Sequence, residues 1–151
     1  HGMLIGWETN VIGTSGSAGS TGTLYWVKAP TKDTYFTDGF NIEAASTGTN
    51  YVAPVPGTQY QVVFAGGSVS PALNNVLTVS QSGQFVPAPG APDKLAISLS
   101  AAGVIKGTIY NPADEETLPI RGAFSSPSLG GSGFILDING QTDPFQIILV
   151  P

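Results

Sequence analysis

Carboxylates are the side chains in this sequence best suited to catalysis. The chain has no cysteine and a single histidine at its first position, so neither a Ser-His-Asp triad nor a Cys-His pair is expected. Glycoside hydrolysis instead uses two Asp or Glu side chains about 5–10 Å apart. Two such pairs stand out, Asp38 with Glu43 and Asp137 with Asp143. Each residue also suits a turn or a solvated strand position. The sequence therefore predicts a non-enzymatic protein, with a glycoside hydrolase as a remaining alternative.

One acidic run could bind a metal ion. Asp114, Glu115 and Glu116 are consecutive and could offer oxygen ligands to Ca²⁺. They lack the alternating acidic spacing of a dedicated calcium loop, and the preceding Asn111-Pro112 is typical of a turn. We therefore predict no cofactor and no metal site, and keep these three residues as candidates for Ca²⁺.

Aromatic side chains are the candidate ligand-binding groups. Modules that bind sugars present aromatic rings to the sugar faces and place polar groups nearby. Tyr25, Trp26, Tyr35 and Tyr110 could serve in this way. Neighbouring side chains alternate between the faces of a strand, so Tyr25 and Trp26 must point in opposite directions. The alternative is that these rings pack in the core or cap the ends of a barrel.

Short strands separated by turns must position these residues. Gly and Pro are abundant, at 20 and 12 residues, and no segment shows a sustained helical stripe. The chain is 41% hydrophobic and only 10% charged, which indicates a folded protein. We predict an all-β fold, an antiparallel barrel or two-sheet sandwich of about nine or ten strands. The side chains predicted to fill its core are Leu24, Phe40, Ile42, Val62, Phe64, Leu95, Ile97, Leu99, Ile105, Ile109, Phe134, Leu136, Ile147 and Leu149.

Two parts of the chain resemble each other. The sequence GTLY at 22–25 matches GTIY at 107–110, and YQVVF at 60–64 matches FQIIL at 145–149. Matching segments of this kind, here called anchors, recur in the same order along both parts, which indicates an internal duplication of a four-strand unit.

The same anchors define the domain organisation. We assign 1–3 to a cloning scar and 4–151 to a single β domain. Within that domain the repeat halves span 20–68 and 104–151, and the Pro-rich segment 81–93 is the expected connection between them.

Charge and hydropathy restrict the partners. The net charge is −5 and the sequence pI is about 4.4, which argues against binding to the phosphates of nucleic acid. The longest apolar runs are about five residues, far shorter than a membrane span. We expect no membrane insertion and a monomer that contacts the neighbouring domains of a longer parent chain.

Several Gly and aromatic motifs resemble a family of β-rich modules found in large secreted bacterial surface proteins. In that family a Gly-x-Phe-x-Gly strand is followed by two further strands rich in Gly and aromatic residues. The likeness extends over most of 20–151 and rests on GVIKGTIYNP at 103–112, IRGA at 120–123, GFIL at 133–136, WVKAP at 26–30, DGF at 38–40 and NY at 50–51.

The resemblance implies an exported, multidomain parent and carries over no catalytic residue. Together with the missing catalytic groups, it leads us to expect a structural or adhesion module at the bacterial cell surface or outside the cell. A carbohydrate-binding module that uses the exposed aromatic residues is the alternative.

Overall fold

The described part of the chain folds into antiparallel β-sheets joined by turns and loops. In this computed structural model eleven strands form two sheets, and helix is absent from the part of the chain described. The all-β prediction is therefore confirmed. The residues described are 2–11, 19–32, 37–66, 69–90, 93–136 and 142–151.

The chain divides into two compact units, residues 1–50 and 51–151. The sequence predicts a single domain over 4–151, whereas the structure shows two compact units. The physical basis of the division is the strand pairing: the strands of the first unit hydrogen-bond to one another, and those of the second unit form a separate sheet.

The first unit is a three-stranded sheet in the order β1-β2-β3. Each strand is ten residues long, and every position pairs across the sheet without a register shift. The strands are β1 (Gly2–Val11), β2 (Gly19–Lys28) and β3 (Phe40–Thr49). Gly2 and Met3, which the sequence analysis assigns to a cloning scar, lie in β1 and pair with residues of β2.

The second unit is an eight-stranded, nearly closed barrel in the order β6-β5-β4-β11-β10-β9-β8-β7. Tight turns join most strands that are neighbours in both sequence and space, as expected for antiparallel hairpins. The strands are β4 (Gln59–Gly66), β5 (Val69–Val79), β6 (Phe85–Pro87), β7 (Ala96–Leu99), β8 (Val104–Asn111), β9 (Glu116–Ser126), β10 (Gly130–Leu136) and β11 (Thr142–Leu149).

Side chains fill the inside of the barrel. The rings of Tyr60, Phe85 and Phe124 meet edge to face with centroids 5.4–5.8 Å apart. Phe64 and Phe145, on the paired strands β4 and β11, have ring centroids 5.3 Å apart. Aromatic pairs at this spacing add to the free energy gained by burying the rings. The barrel is therefore a packed core.

The residues predicted to fill the core are buried, half-buried or exposed in the structure. Those in the barrel that are confirmed as buried are Val62, Phe64, Leu95, Leu99, Ile105, Ile109 and Ile147. Ile97 is half-buried and packs against them, and Leu24 and Phe40 are half-buried in the first unit. The exposed ones, for which the prediction was wrong, are Ile42, Phe134, Leu136 and Leu149.

In β10 the residue that faces the core is Ile135, which lies between the two residues that were predicted. Three large apolar residues follow one another there, so the sequence does not reveal which of the two alternating sets of side chains faces the core. The register with β9 decides it, because Ile135 pairs with the buried Ile120.

Two glycines face each other inside the barrel, where backbone and an aromatic ring come close to them. Gly122 of β9 and Gly133 of β10 pair directly, and both face inward. A Cβ on Gly133 would lie 2.6 Å from Gly122 Cα and 2.6 Å from the ring of Phe145. Because neither glycine has a side chain, the Phe145 ring can occupy the space beside this pair.

The second predicted repeat unit, 104–151, contains four consecutive strands that are neighbours in the sheet, β8 to β11. The first is not folded in the same way. Its segments lie in β2 and β3 of the three-stranded sheet and in β4 of the barrel. Residues 60–64 and 145–149, whose sequences YQVVF and FQIIL match, are antiparallel neighbours in the barrel. The buried side chains of both strands face the same core.

The segment 81–93 is more than a connection between halves. It contains β6, which pairs with β5. Just before β6, Gln84 Oε1 accepts a hydrogen bond of 3.3 Å from the backbone N–H of Leu99 in β7. The segment thereby joins the two end strands of the barrel sheet.

Candidate functional site

One face of the three-stranded sheet, here named the Trp26 face, presents a row of apolar side chains. Leu4, Trp26 and Ile42 pair directly across the three strands, and each is exposed. The Trp26 ring meets Phe40 edge to face at 4.9 Å. Leu24 lies next to this row on the same side and is half-buried.

The opposite face, named the Trp7 face, is also apolar. Met3, Ile5 and Trp7 follow one another along its β1 edge and are about 60% exposed. The Trp7 ring lies 5.9 Å from the ring of Tyr25 on β2. A small sheet of a soluble protein usually exposes apolar side chains on no more than one face. Apolar residues on both faces therefore make this sheet the candidate interaction surface within the described part of the chain.

Polar groups collect at one end of the same sheet. A shallow depression there is lined by amides and hydroxyls, including Asn10, Ser20, Thr49 and Asn50. Ser20 lies six residues from Trp26 along β2, a distance of roughly 20 Å in an extended strand. The exposed tryptophan of the Trp26 face and the polar depression therefore do not converge on one small ligand.

The predicted aromatic site residues are not brought together. Tyr25 and Trp26 point to opposite faces of β2, as the alternation predicts, and Trp26 is the more exposed of the two. Tyr110 belongs to the second unit, where its ring carries the Lys94 ammonium at 4.6 Å. Tyr35 lies outside the described residues.

The acidic run forms a turn between β8 and β9. Asn111 Nδ2 donates a hydrogen bond of 2.7 Å to Asp114 Oδ2, and Asn111 Oδ1 accepts one from the backbone N–H of Ala113. Glu115 takes a left-handed conformation with φ of 58°, and Glu116 begins β9. Among the described residues, no group of three or more acidic or histidine side chains is arranged to hold a metal ion.

The two carboxylate pairs occupy different environments. Asp38 lies in the turn before β3, and Glu43 lies exposed in that strand on the Trp7 face. Asp143 is buried in β11 with 4% exposure, and Asp137 lies outside the described residues.

A buried polar pair is the feature that the sequence did not reveal. Asn75 of β5 and Asp93, in the connection between β6 and β7, are 5% and 2% exposed. Asn75 Nδ2 donates a hydrogen bond of 3.0 Å to Asp93 Oδ1. The other oxygens, Asn75 Oδ1 and Asp93 Oδ2, have no hydrogen-bond partner within the described structure.

Backbone hydrogen bonds join the connection between β6 and β7 to strands β5 and β8. Asp93 backbone C=O accepts a hydrogen bond of 2.7 Å from the N–H of Tyr110 in β8, and the N–H of Ala88 donates one to Val76 of β5. Asn75 and Asp93 therefore link β5 to β8, the strands next to the two edges of the barrel sheet, and we assign them a structural role.

Tyr60 carries a second buried polar atom without a partner. Its side chain is fully buried, and its hydroxyl makes no hydrogen bond to the described part of the chain. Burial raises the pKa of this hydroxyl above its ordinary value of 10.0, because the phenolate loses contact with water.

We expect Tyr60→Phe to keep the free energy of unfolding at neutral pH within about 1 kcal/mol of wild type, because no hydrogen bond is lost. The unfolded chain releases the tyrosine proton near pH 10 and the folded chain only at a higher pH, so this residue's contribution to stability is intact below pH 10 and lost above it. Denaturant unfolding at pH 7 and above pH 10 measures both effects. The variant should lose less stability than wild type in the alkaline range, and a loss above about 2 kcal/mol at pH 7 would contradict this prediction.

Comparison with known protein families, with characterised proteins and with solved structures finds no match for this chain. Over the residues that the structure describes, no helix is long and apolar enough to cross a membrane.

Proposed function

We propose that the chain is a non-catalytic structural and adhesion module that attaches a larger extracellular bacterial protein to other protein surfaces. The observation that carries the proposal is the apolar character of both faces of the β1-β2-β3 sheet. Burying one large apolar side chain contributes about 1.5–3 kcal/mol, so a partner that covers either tryptophan gains substantial free energy. The resemblance of residues 20–151 to modules of bacterial surface proteins supports the cell-surface location and the contacts with neighbouring domains.

The barrel supplies a rigid support in this proposal. Among the described residues, sixteen buried apolar side chains fill its interior, so it holds its shape through packing. The apolar sheet precedes it in the chain and presents the contacts.

Carbohydrate binding is the second candidate. The edge-to-face pair of Trp26 and Phe40 favours it, because an exposed ring can stack on a sugar face. The amides that would bind sugar hydroxyls are grouped at the far end of the sheet, including Asn10 and Asn50. Protein contact therefore fits the distribution of side chains better than a compact sugar site.

Binding of the purified chain to immobilised surfaces tests the proposal. Biolayer interferometry would compare protein-coated and polysaccharide-coated sensors, with Ca²⁺ and with a chelator. We expect binding to protein-coated sensors that weakens by roughly tenfold or more in Trp7→Ser and in Trp26→Ala. Val86→Ser is the matched control, because Val86 is 49% exposed on the barrel.

Two outcomes would change the conclusion. Binding to a polysaccharide that Trp26→Ala abolishes would replace protein adhesion with carbohydrate recognition. Equal binding by the wild type, both tryptophan variants and Val86→Ser would remove the sheet from the proposal.

A further inference from the structure

The outer edge of β1 is open and lacks the usual protection of edge strands. Among the described residues β1 pairs with β2 alone, and all ten of its residues are exposed. In natural proteins, edge strands are commonly protected from pairing with another strand by Pro, by Lys, by a β-bulge or by being very short. The segment 2–11 contains no Pro, Lys or Arg, and its register with β2 is continuous. Such an edge is a template for another strand.

The other edge of the sheet offers less. β3 carries large apolar side chains at Phe40 and Ile42, and the rest of the strand consists of small or polar residues. β1 places Met3, Ile5 and Trp7 on one face and Leu4 on the other. A strand added beside β1 therefore buries apolar side chains on both faces.

Charge identifies the kind of strand that fits. Glu8 is the one charged residue of β1, and Lys28 and Glu43 are the charged residues of the other two strands. An edge this close to neutral does not select a strongly basic or acidic partner. It fits a strand that is itself apolar and almost uncharged, and β1 is such a strand.

On the basis of the proposed function, we propose that β1 pairs antiparallel with β1 of a second copy of this chain. The two copies are related by a two-fold axis perpendicular to the sheet and centred near Gly6. The product is a continuous six-stranded sheet, in place of the monomer that the sequence analysis predicts. A two-fold contact of this kind is self-complementary and closes after two copies.

The pairing places compatible side chains opposite each other. In an antiparallel pair, residues that face each other lie on the same side of the sheet. With the axis at Gly6, Ile5 faces Trp7 of the second copy, and this pair occurs twice. Glu8 faces Leu4 of the second copy, so the two Glu8 carboxylates do not meet. Aromatic rings opposite β-branched side chains are among the favourable cross-strand pairs.

The oligomeric state of the full chain tests this pairing. A contact along one strand edge is smaller than a standard interface, so we expect a dimer with a Kd of about 1–100 µM by analytical ultracentrifugation. Ile5→Lys should raise that Kd by roughly tenfold or more, because it places a charge in the new strand pair. Val55→Lys is the matched control, since both side chains are 58% exposed and both variants add one positive charge.

Cross-linking gives a second test that does not depend on destabilising the sheet. The chain has no cysteine, so single Ile5→Cys and Trp7→Cys variants can be mixed without a background of native thiols. Facing residues in an antiparallel pair have Cα atoms about 4.5–5.5 Å apart, which suits a disulfide. We expect mild oxidation to yield the mixed disulfide faster than in mixtures of Val52→Cys with Val55→Cys.

Each result bears on the pairing separately from the proposed function. A wild type that stays monomeric at all concentrations, or a mixed disulfide no faster than in the control, would overturn the pairing. So would a dimer that Ile5→Lys and Val55→Lys affect equally. A monomer that still adheres to protein-coated sensors through its tryptophans would overturn the pairing and leave the proposed function in place.

Discussion

Gly133→Val is expected to destabilise the barrel by about 3 kcal/mol or more, because a side chain at this position meets backbone. The Cβ alone would overlap the carbonyl oxygen of Arg121 and lie 2.6 Å from Gly122 Cα. Backbone atoms of a neighbouring strand cannot move aside without opening the strand pair between β9 and β10. The remaining atoms of the valine would add a clash with the Phe145 ring.

Hydrogen exchange of the barrel amides measures this loss. Ser132→Ala is the matched control, because Ser132 is the exposed neighbour in the same strand and its substitution changes no buried contact. Phe145→Leu in the Gly133→Val background separates the two causes. If backbone overlap dominates, the double variant is no more stable than Gly133→Val. Recovery of most of the lost stability would show that the ring alone is the obstacle.

Asn75→Asp is expected to cost about 3 kcal/mol or more at neutral pH, although it exchanges one amide nitrogen for oxygen. It replaces the hydrogen bond of Asn75 Nδ2 to Asp93 Oδ1 with two carboxylates about 3.0 Å apart in a buried site. Two like charges at this distance cannot both stay ionised at low cost. The connection between β6 and β7 should detach from β5 as a result.

The pH dependence identifies the cause. At acidic pH the two carboxyls can share one proton, which restores a hydrogen bond, so the difference from wild type should shrink as the pH falls. Asn75→Leu is the control, since it removes the hydrogen bond without adding a second carboxylate and should recover less stability than Asn75→Asp as the pH falls. Denaturant unfolding of the three proteins at pH 4 and pH 7 makes the comparison. A loss in Asn75→Asp that is the same at both values would contradict the electrostatic explanation.

The sequence predicts the fold class well because the barrel strands follow simple alternation. In 95–99, Leu95 and Leu99 fall on one face as predicted, and the same holds for Ile105 and Ile109 of β8. The sequence fails where alternation is ambiguous, as in β10, whose inward residue is set by its partner strand. It also does not show that the chain divides after residue 50, because only the strand pairing assigns β3 and β4 to different sheets.

The orientation of one aromatic pair follows from the sequence. Alternation puts Tyr25 and Trp26 on opposite faces of β2, where the structure has them, and Trp26 is exposed. The exposed row across the sheet could not be foreseen, because it requires the register that sets Leu4 and Ile42 beside Trp26. The buried pair of Asn75 and Asp93 was missed for a similar reason. The residues are 18 positions apart, and both are typical of turns, so only the closing of the barrel reveals that they meet.

Both tryptophans of the chain, Trp7 and Trp26, lie in the three-stranded sheet, and residues 51–151 contain none. Indole emission is therefore an optical label for the first unit alone, whereas tyrosine emission comes from both units, since Tyr25 and Tyr35 belong to the first. A melting curve of indole emission follows the first unit, and one of backbone circular dichroism follows the strands of both units. If their midpoints differ, the chain unfolds in two steps, and one free energy fitted to tryptophan fluorescence describes only the first unit.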